Sequence, residues 1–121
     1  MFERLDCVCL HTDDIEASLT FLGDMGMTEA WRLDRLLDDG RPWTLVGLDF
    51  PDKTSSQLVL STHPDRRMIE VEIRVADVRR AYEQLRQSPG VRWLAEPFPI
   101  EQGHVAVMQA PDGNAFVLIG D

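Results

Sequence analysis

The sequence predicts an α+β chain in which one βαβββ module occurs twice. The two modules would curve into a cup-shaped mixed sheet with the helices outside. Three observations predict this fold: a repeat at an offset of 63 residues, an aspartate helix cap at the same place in each copy, and three strand-like segments after each helix.

Shifting the chain by 63 residues superposes Val8-Cys9-Leu10-His11-Thr12-Asp13-Asp14-Ile15 on Val71-Glu72-Ile73-Arg74-Val75-Ala76-Asp77-Val78. Both segments begin as alternating strands, with Val8 and Leu10 on one face and Val71 and Ile73 on the matching face. Asp14 and Asp77 then stand where a carboxylate can accept from the free N–H groups of a first helical turn. Behind them, Ile15, Ser18, Leu19 and Leu22 repeat at i, i+3, i+4 and i+7, as do Val78, Ala81, Tyr82 and Leu85. Gly23 and Gly26 close the first helix, and Pro89-Gly90 stops the second.

Strand composition follows at Thr28–Leu36, Trp43–Phe50 and Gln57–Thr62, then again at Val91–Ala95, His104–Gln109 and Ala115–Ile119. Asp38-Asp39-Gly40 and Pro111-Asp112-Gly113-Asn114 supply turns. His63-Pro64-Asp65-Arg66-Arg67 is a polar linker, so the expected organisation is a single domain over 1–121, with one module at 1–62 and the other at 68–121. A chain of 121 residues can bury one substantial core but not two independent ones, so the modules should pair within the chain or across a dimer.

Composition removes some functions. The apolar stretches are a few residues long and broken by charge or Gly, and the first residues lack a signal-peptide core, so the default location is the cytoplasm. A net charge of −9 argues against nucleic acid and anionic membranes as partners. It leaves room for a cationic ligand, although an acidic surface also serves solubility alone. Cys7 and Cys9 point to one face of the first strand; two residues apart, they are poorly placed for a disulfide and are expected as reduced thiols.

The opening Cys7-Val8-Cys9-Leu10-His11-Thr12-Asp13-Asp14-Ile15, followed by Ser18-Leu19-Thr20-Phe21-Leu22, resembles the vicinal oxygen chelate superfamily. That superfamily includes glyoxalase I, extradiol dioxygenases and bleomycin-resistance proteins. Met25-Gly26-Met27 looks like its Leu-Gly-Phe segment, one residue early, and Ala110-Pro111-Asp112-Gly113-Asn114 like its Asp-Pro-Asp-Gly-Asn turn with Ala first. The resemblance implies a metal ligand on the first and last strand of each module. Here those positions fall on Cys7 and Glu70, and on Val59 and Val117. Valine offers no donor atom. A shift that brought in Gln57 would leave Cys7, Gln57 and Glu70, a mixed soft and hard set. No metal and no other cofactor is therefore expected.

The remaining cup lining would be Cys7, Cys9 and His11 on one side and Glu70, Glu72 and Arg74 on the other. Gln57, Val59 and Ser61, with Ala115, Val117 and Ile119, would come from the closing strands. Glu70 and Glu72 share a face and could receive a cation or serve as base, or simply pair with Arg74 or Arg92. Cys7 and Cys9 are either wall residues or small core residues. His11 is expected in solvent near its strand end. Trp31, Trp43, Trp93 and Phe98 are candidates to stack a planar ligand or to pack in the core, and Gly47 either leaves ligand room or marks a bulge.

Three functions follow. The first is a metal-free binding protein of the bleomycin-resistance type, holding a planar or cationic small molecule through Cys7, Cys9, Trp31, Trp43, Gln57, Val59, Glu70, Glu72 and Val117. The second is a lyase, isomerase or glyoxalase-like enzyme with Glu70 as base or unusual metal ligand. The third is a non-catalytic accessory dimer. The resemblance also implies a homodimer, and whether the protein is an enzyme stays open at this point.

Overall fold

The strand–helix–strand–strand–strand order occurs twice in the computed structural model, which describes residues 1–121. The elements are β1 (Arg4–His11), α1 (Ile15–Asp24), β2 (Thr28–Leu36), β3 (Pro42–Asp49) and β4 (Gln57–Ser61), then β5 (Glu70–Arg74), α2 (Val78–Leu85), β6 (Arg92–Ile100), β7 (Gly103–Gln109) and β8 (Ala115–Gly120). The fold is mixed α+β. Contacts divide the chain into two units, one of Cys7–Ile69 and one of Met1–Asp6 with Glu70–Asp121.

In the unit Cys7–Ile69 the strands lie in the order β2-β3-β4-β1. β1 runs parallel to β4, with Cys7 opposite Gln57, Cys9 opposite Val59 and His11 opposite Ser61. β3 is antiparallel to both β4 and β2, which sets Gly47 opposite Val59 on one side and Trp31 on the other. Val46, Leu48 and Leu60 form a core with Met27, and Leu10, Ile15, Leu19, Leu22 and Leu58 pack on it. Because strand side chains alternate, the residues between these face away from α1. That open face carries Cys7, Cys9, His11, Leu45, Gly47, Asp49, Gln57, Val59 and Ser61.

The second unit has the order β5-β8-β7-β6. β5 is parallel to β8, pairing Glu70 with Ala115, Glu72 with Val117 and Arg74 with Ile119. The N-terminal residues join this unit, where the Glu3 N–H donates to the Arg74 carbonyl at 2.9 Å. Val75, Val78, Ala81, Ala106 and Leu118 make the core, and Ile73, Leu85 and Trp93 pack on it. Gly120 lies so close to the chain at β5's end that a Cβ there would strike the Val75 carbonyl oxygen.

Both helix starts follow from their aspartates. Asp14 Oδ1 accepts from the Ala17 N–H at 3.0 Å, and Asp77 Oδ1 accepts from the Arg80 N–H at 3.0 Å. Ser18, in the apolar stripe of α1, exchanges a 2.7 Å hydrogen bond with Thr12.

One expectation needs correction, and one open choice closes. β6 runs to Ile100 across Pro97 and Pro99, whereas the sequence suggested an end at Ala95. It is an outer strand whose pairing with β7 shifts twice, and such a strand tolerates proline because one side needs no ladder hydrogen bond. Trp93 is not on the open face. It packs towards α2, its ring centroid 4.7 Å from that of Tyr82, because its rung partner Met108 lies on the helix side.

Candidate functional site

The most ordered polar arrangement on the open face of the unit Cys7–Ile69 is built by three strands. Trp31 on β2 donates its indole N–H to Gln57 Oε1 on β4 at 3.0 Å. Gln57 in turn donates from Nε2 to Asp49 Oδ1 on β3 at 2.8 Å. The two bonds fix the Gln57 amide, since each end has one partner that suits only one orientation. Lys53, in the β3–β4 loop, stands 3.7 Å from Asp49 Oδ2 with 72% of its side chain exposed. The indole lies directly over Gly47: a Cβ built there would collide with Trp31 Cε2, Nε1 and Cζ2. Gly47 therefore makes room for the protein's own indole, which settles the sequence-level choice between ligand room and a bulge.

The other residues expected at the site fall into groups. Cys7 is buried, Cys9 is half-buried, and Val59 is buried between Cys9 and Gly47 in the ladder. Trp43 pairs with Arg35 rather than joining Trp31, and its ring meets the edge of His63 at 4.7 Å. His63 is not a loose linker residue. It is 7% exposed, and its Nδ1 accepts from the backbone N–H groups of Asp65 and Arg66 at 3.1 and 3.2 Å. Burial, then the Arg66 charge, hold its pKa below the usual 6.5, against an opposing pull from Asp65. His11 also departs from expectation. Its Nε2 is buried and has no hydrogen-bond partner, rather than lying in solvent.

In the second unit, Glu70 is 9% exposed at the start of β5, and Glu72 is half-buried opposite Val117. Glu72 finds a partner that the sequence reading did not weigh, Asp6. Carboxylate oxygens of the two lie within 4.8 Å of each other. The hydrogen bond with Glu72 is the main cause that holds the Asp6 pKa below 3.8; burial opposes it, and Arg74 and Arg4 add to it. Arg74 Nε lies 3.5 Å from Asp6 Oδ1 and Arg4 Nη2 lies 3.3 Å from it. The two guanidinium groups thus favour the charged form of Asp6.

The divalent centre implied by the resemblance can be tested against these registers. In the unit Cys7–Ile69 its two positions hold Cys7 and Val59, and in the other they hold Glu70 and Val117. The β1–β4 ladder fixes Val59 beside Cys9 over an unbroken run from Cys7 to His11, so no slip brings Gln57 into its place. Each unit supplies one donor where two are needed, and the pair of donors differs in softness. The residues present do not fit that centre.

A depression of 280 Å³ lies elsewhere, beside the start of α2, lined by Met1, Val75, Ala76, Asp77, Arg80, Ala81 and Gln84. None of the candidate site residues borders it. No helix is long and apolar enough to cross a membrane.

Residues 4–118 match the Glyoxalase/Bleomycin resistance protein/Dioxygenase superfamily. The chain belongs to that superfamily. Solved structures of the superfamily's fold agree. Methylmalonyl-CoA epimerase from Mycobacterium tuberculosis superposes with a TM-score of 0.73 at 20% identity, covering 98% of this chain and 88% of that one. A hypothetical protein from Bacillus halodurans C-125 gives 0.72 at 16% identity, with 98% and 94% covered. A superfamily member from Vibrio splendidus 12B01 gives 0.64 at 18%, with 95% and 97% covered. These similarities concern the fold. A search of curated protein sequences returns no match.

Two residues that matter here escaped the sequence reading. They are Asp49 and Asp6, neither of which belongs to a motif of the sequence. The available signal for Asp49 was its alternation with Gly47 on a strand that also faces Gln57.

Proposed function

We propose that this superfamily member binds a small planar cation without the divalent centre of its metal-dependent relatives. The array of Trp31, Gln57 and Asp49 carries the reading. An indole held over Gly47 can offer its π face to a flat ring, and a carboxylate near it offers a charge partner. Asp49 is engaged at one oxygen by Gln57, while its other oxygen faces only an exposed lysine whose pairing is weak and readily exchanged. Cys9 and Val59 would supply neighbouring apolar wall, with Cys7 behind them. The overall charge of −9 favours the approach of a cation.

The test is a fluorescence titration with a panel of planar organic cations. Wild type and Trp93→Phe should be quenched saturably, Trp31→Phe should lose the response, and Asp49→Asn should weaken binding about tenfold, the effect of ~1.4 kcal/mol. If Trp31→Phe responds like wild type, the ring is not the platform. Native mass spectrometry of the same samples would check the homodimer that this reading carries.

One observation favours a second reading, an acid–base enzyme. Glu72 and Asp6 interact side chain to side chain, a useful arrangement for moving a proton to or from a carbon acid, and Glu70 lies on the same strand face as Glu72. Epimerases of methylmalonyl-CoA have this fold, which makes proton transfer next to a thioester carbonyl the first activity to assay. Turnover that survives both Glu70→Gln and Glu72→Gln would remove it.

A further inference from the structure

The segment between β4 and β5 carries the chain from one unit to the next, and an imidazole sits at the centre of its hydrogen bonds. His63 is buried at the start of this segment, in an edge contact with Trp43. Its backbone N–H donates to Ser61 Oγ at 3.1 Å, and its ring Nδ1 accepts from the N–H groups of Asp65 and Arg66 at 3.1 and 3.2 Å. A ring nitrogen that accepts carries no hydrogen, so this imidazole is neutral with its hydrogen on Nε2. The lone pair that closes the turn is therefore the one that would take a second proton. The two uses exclude each other, because an imidazolium has two donors and no acceptor. The surroundings oppose the proton as well. Arg66 on the segment, Arg41 just before β3 and His11 on β1 all act against a positive ring, and Asp65 is the one charged group that favours it. The Asp65 carboxylate is already held by Arg41, through bonds of 3.2 and 2.8 Å.

We propose that His63 is an acid-released latch: a proton on Nδ1 breaks both amide contacts and frees residues 64–67 from the rest of their unit. The proton comes from solvent, and the two freed N–H groups turn to water. This device is independent of both functional readings above. Two ion pairs, Arg41 with Asp65 and Arg67 with Asp13, restrain the freed segment. All four side chains are about half exposed or more, so added salt weakens that restraint and favours release. The direction in pH follows from the ring's surroundings. Burial, then Arg66, hold the latched ring below its usual 6.5, whereas a released ring titrates near ~6.5. The latch is thus closed above pH ~6.5. Below it, the ratio of released to latched chains rises by up to about tenfold per pH unit, until the latched ring itself titrates.

The experiment is amide hydrogen exchange on the full chain between pH ~7.5 and ~5, corrected for the intrinsic pH dependence of exchange, with imidazole nitrogen NMR to follow the charge on His63. Protection of the Asp65 and Arg66 amides should fall together, by up to about tenfold per pH unit, as His63 gains its proton. Leu60, in the core of the same unit, should keep its protection. His63→Asn places Oδ1 where Nδ1 stands and suits the same turn without titrating, so both amides should stay protected at every pH. His63→Ala has no acceptor and should leave both unprotected at every pH. If His63→Ala does not fold, the wild type and His63→Asn carry the test. The proposal is overturned if the two amides stay protected once His63 is charged, or if His63→Asn loses protection with the pH dependence of the wild type. It is equally overturned if Leu60 loses protection in step, since the whole unit would then be opening.

Discussion

Replacing Gly47 with alanine would set a methyl group where the Trp31 indole lies. The nearest three atoms to that methyl all belong to the ring, and the approach is far inside any real carbon contact. Restoring a separation of about 3.5–4.0 Å requires the indole to lift on the order of 1–2 Å. Such a shift cannot keep the 3.0 Å bond from Trp31 to Gln57. Overpacking of this kind costs about 1–3 kcal/mol, and the lost hydrogen bond at a partly buried site costs about 1 more. Against this, alanine recovers about 0.5–1 kcal/mol of backbone entropy in a strand. The net expectation is a destabilisation of about 2 kcal/mol, read as a lower urea midpoint at unchanged slope, with a red shift of tryptophan emission. A double-mutant cycle isolates the cause. With Trp31→Ala already present, Gly47→Ala should be neutral or slightly stabilising. An equal cost in both backgrounds would refute the placement of the ring.

Other perturbations address other parts of the chain. His63 has a folded-state pKa below its unfolded value of 6.5, so the fold favours its neutral form. That stability is present above pH ~6.5 and is lost as pH falls below it, because only the unfolded chain then gains the proton. Arg66, Asp65, Arg41 and His11 are the charged or titratable groups acting on this ring, and His63→Gln should flatten the dependence of the urea midpoint below pH ~6.5. Asp77→Ala and Asp14→Ala should each cost about 1 kcal/mol by removing a cap, measured by urea unfolding. Gly120→Ala drives a Cβ into a backbone carbonyl that cannot swing aside, and a loss above about 3 kcal/mol is expected in thermal melts. Wild-type melting by Gly120→Ala would show that β8 can move away from Val75.

Much of this architecture was legible because it repeats. Asp14 and Asp77 signal helix starts through short-range chemistry, and both aspartates cap as their positions suggested. Strand parity was equally local: once Leu10 and Leu60 face the helix, Cys9 and Val59 must face the other way. What sequence could not supply were matters of long-range register. Trp31 meets Gln57 across 26 positions, and the pairing shift between Glu29 and Trp31 decides which side the indole takes. Trp93 reads like Trp31 in composition, yet its partner Met108 sends it to the helix side. Asp6 became relevant only because the first residues join the second unit, where Glu72 and Arg74 await it. His63 looked like linker because its neighbours are polar; its burial comes from Trp43, some 20 residues earlier.

The prolines of β6 also bear on how the molecule behaves in a crowded solution. An outermost strand is an open template for a second chain, and a run such as Trp93 to Ile100, with Phe98 partly in solvent, would be an inviting one. Pro97 and Pro99 have no amide hydrogen to offer a docking strand, and the two pairing shifts twist the edge. On β2, the outer strand of the other unit, Arg32, Asp34 and Arg35 do the same work with charge. Substituting both prolines with threonine should therefore leave the folded stability almost unchanged and yet raise the rate at which concentrated protein forms fibrils.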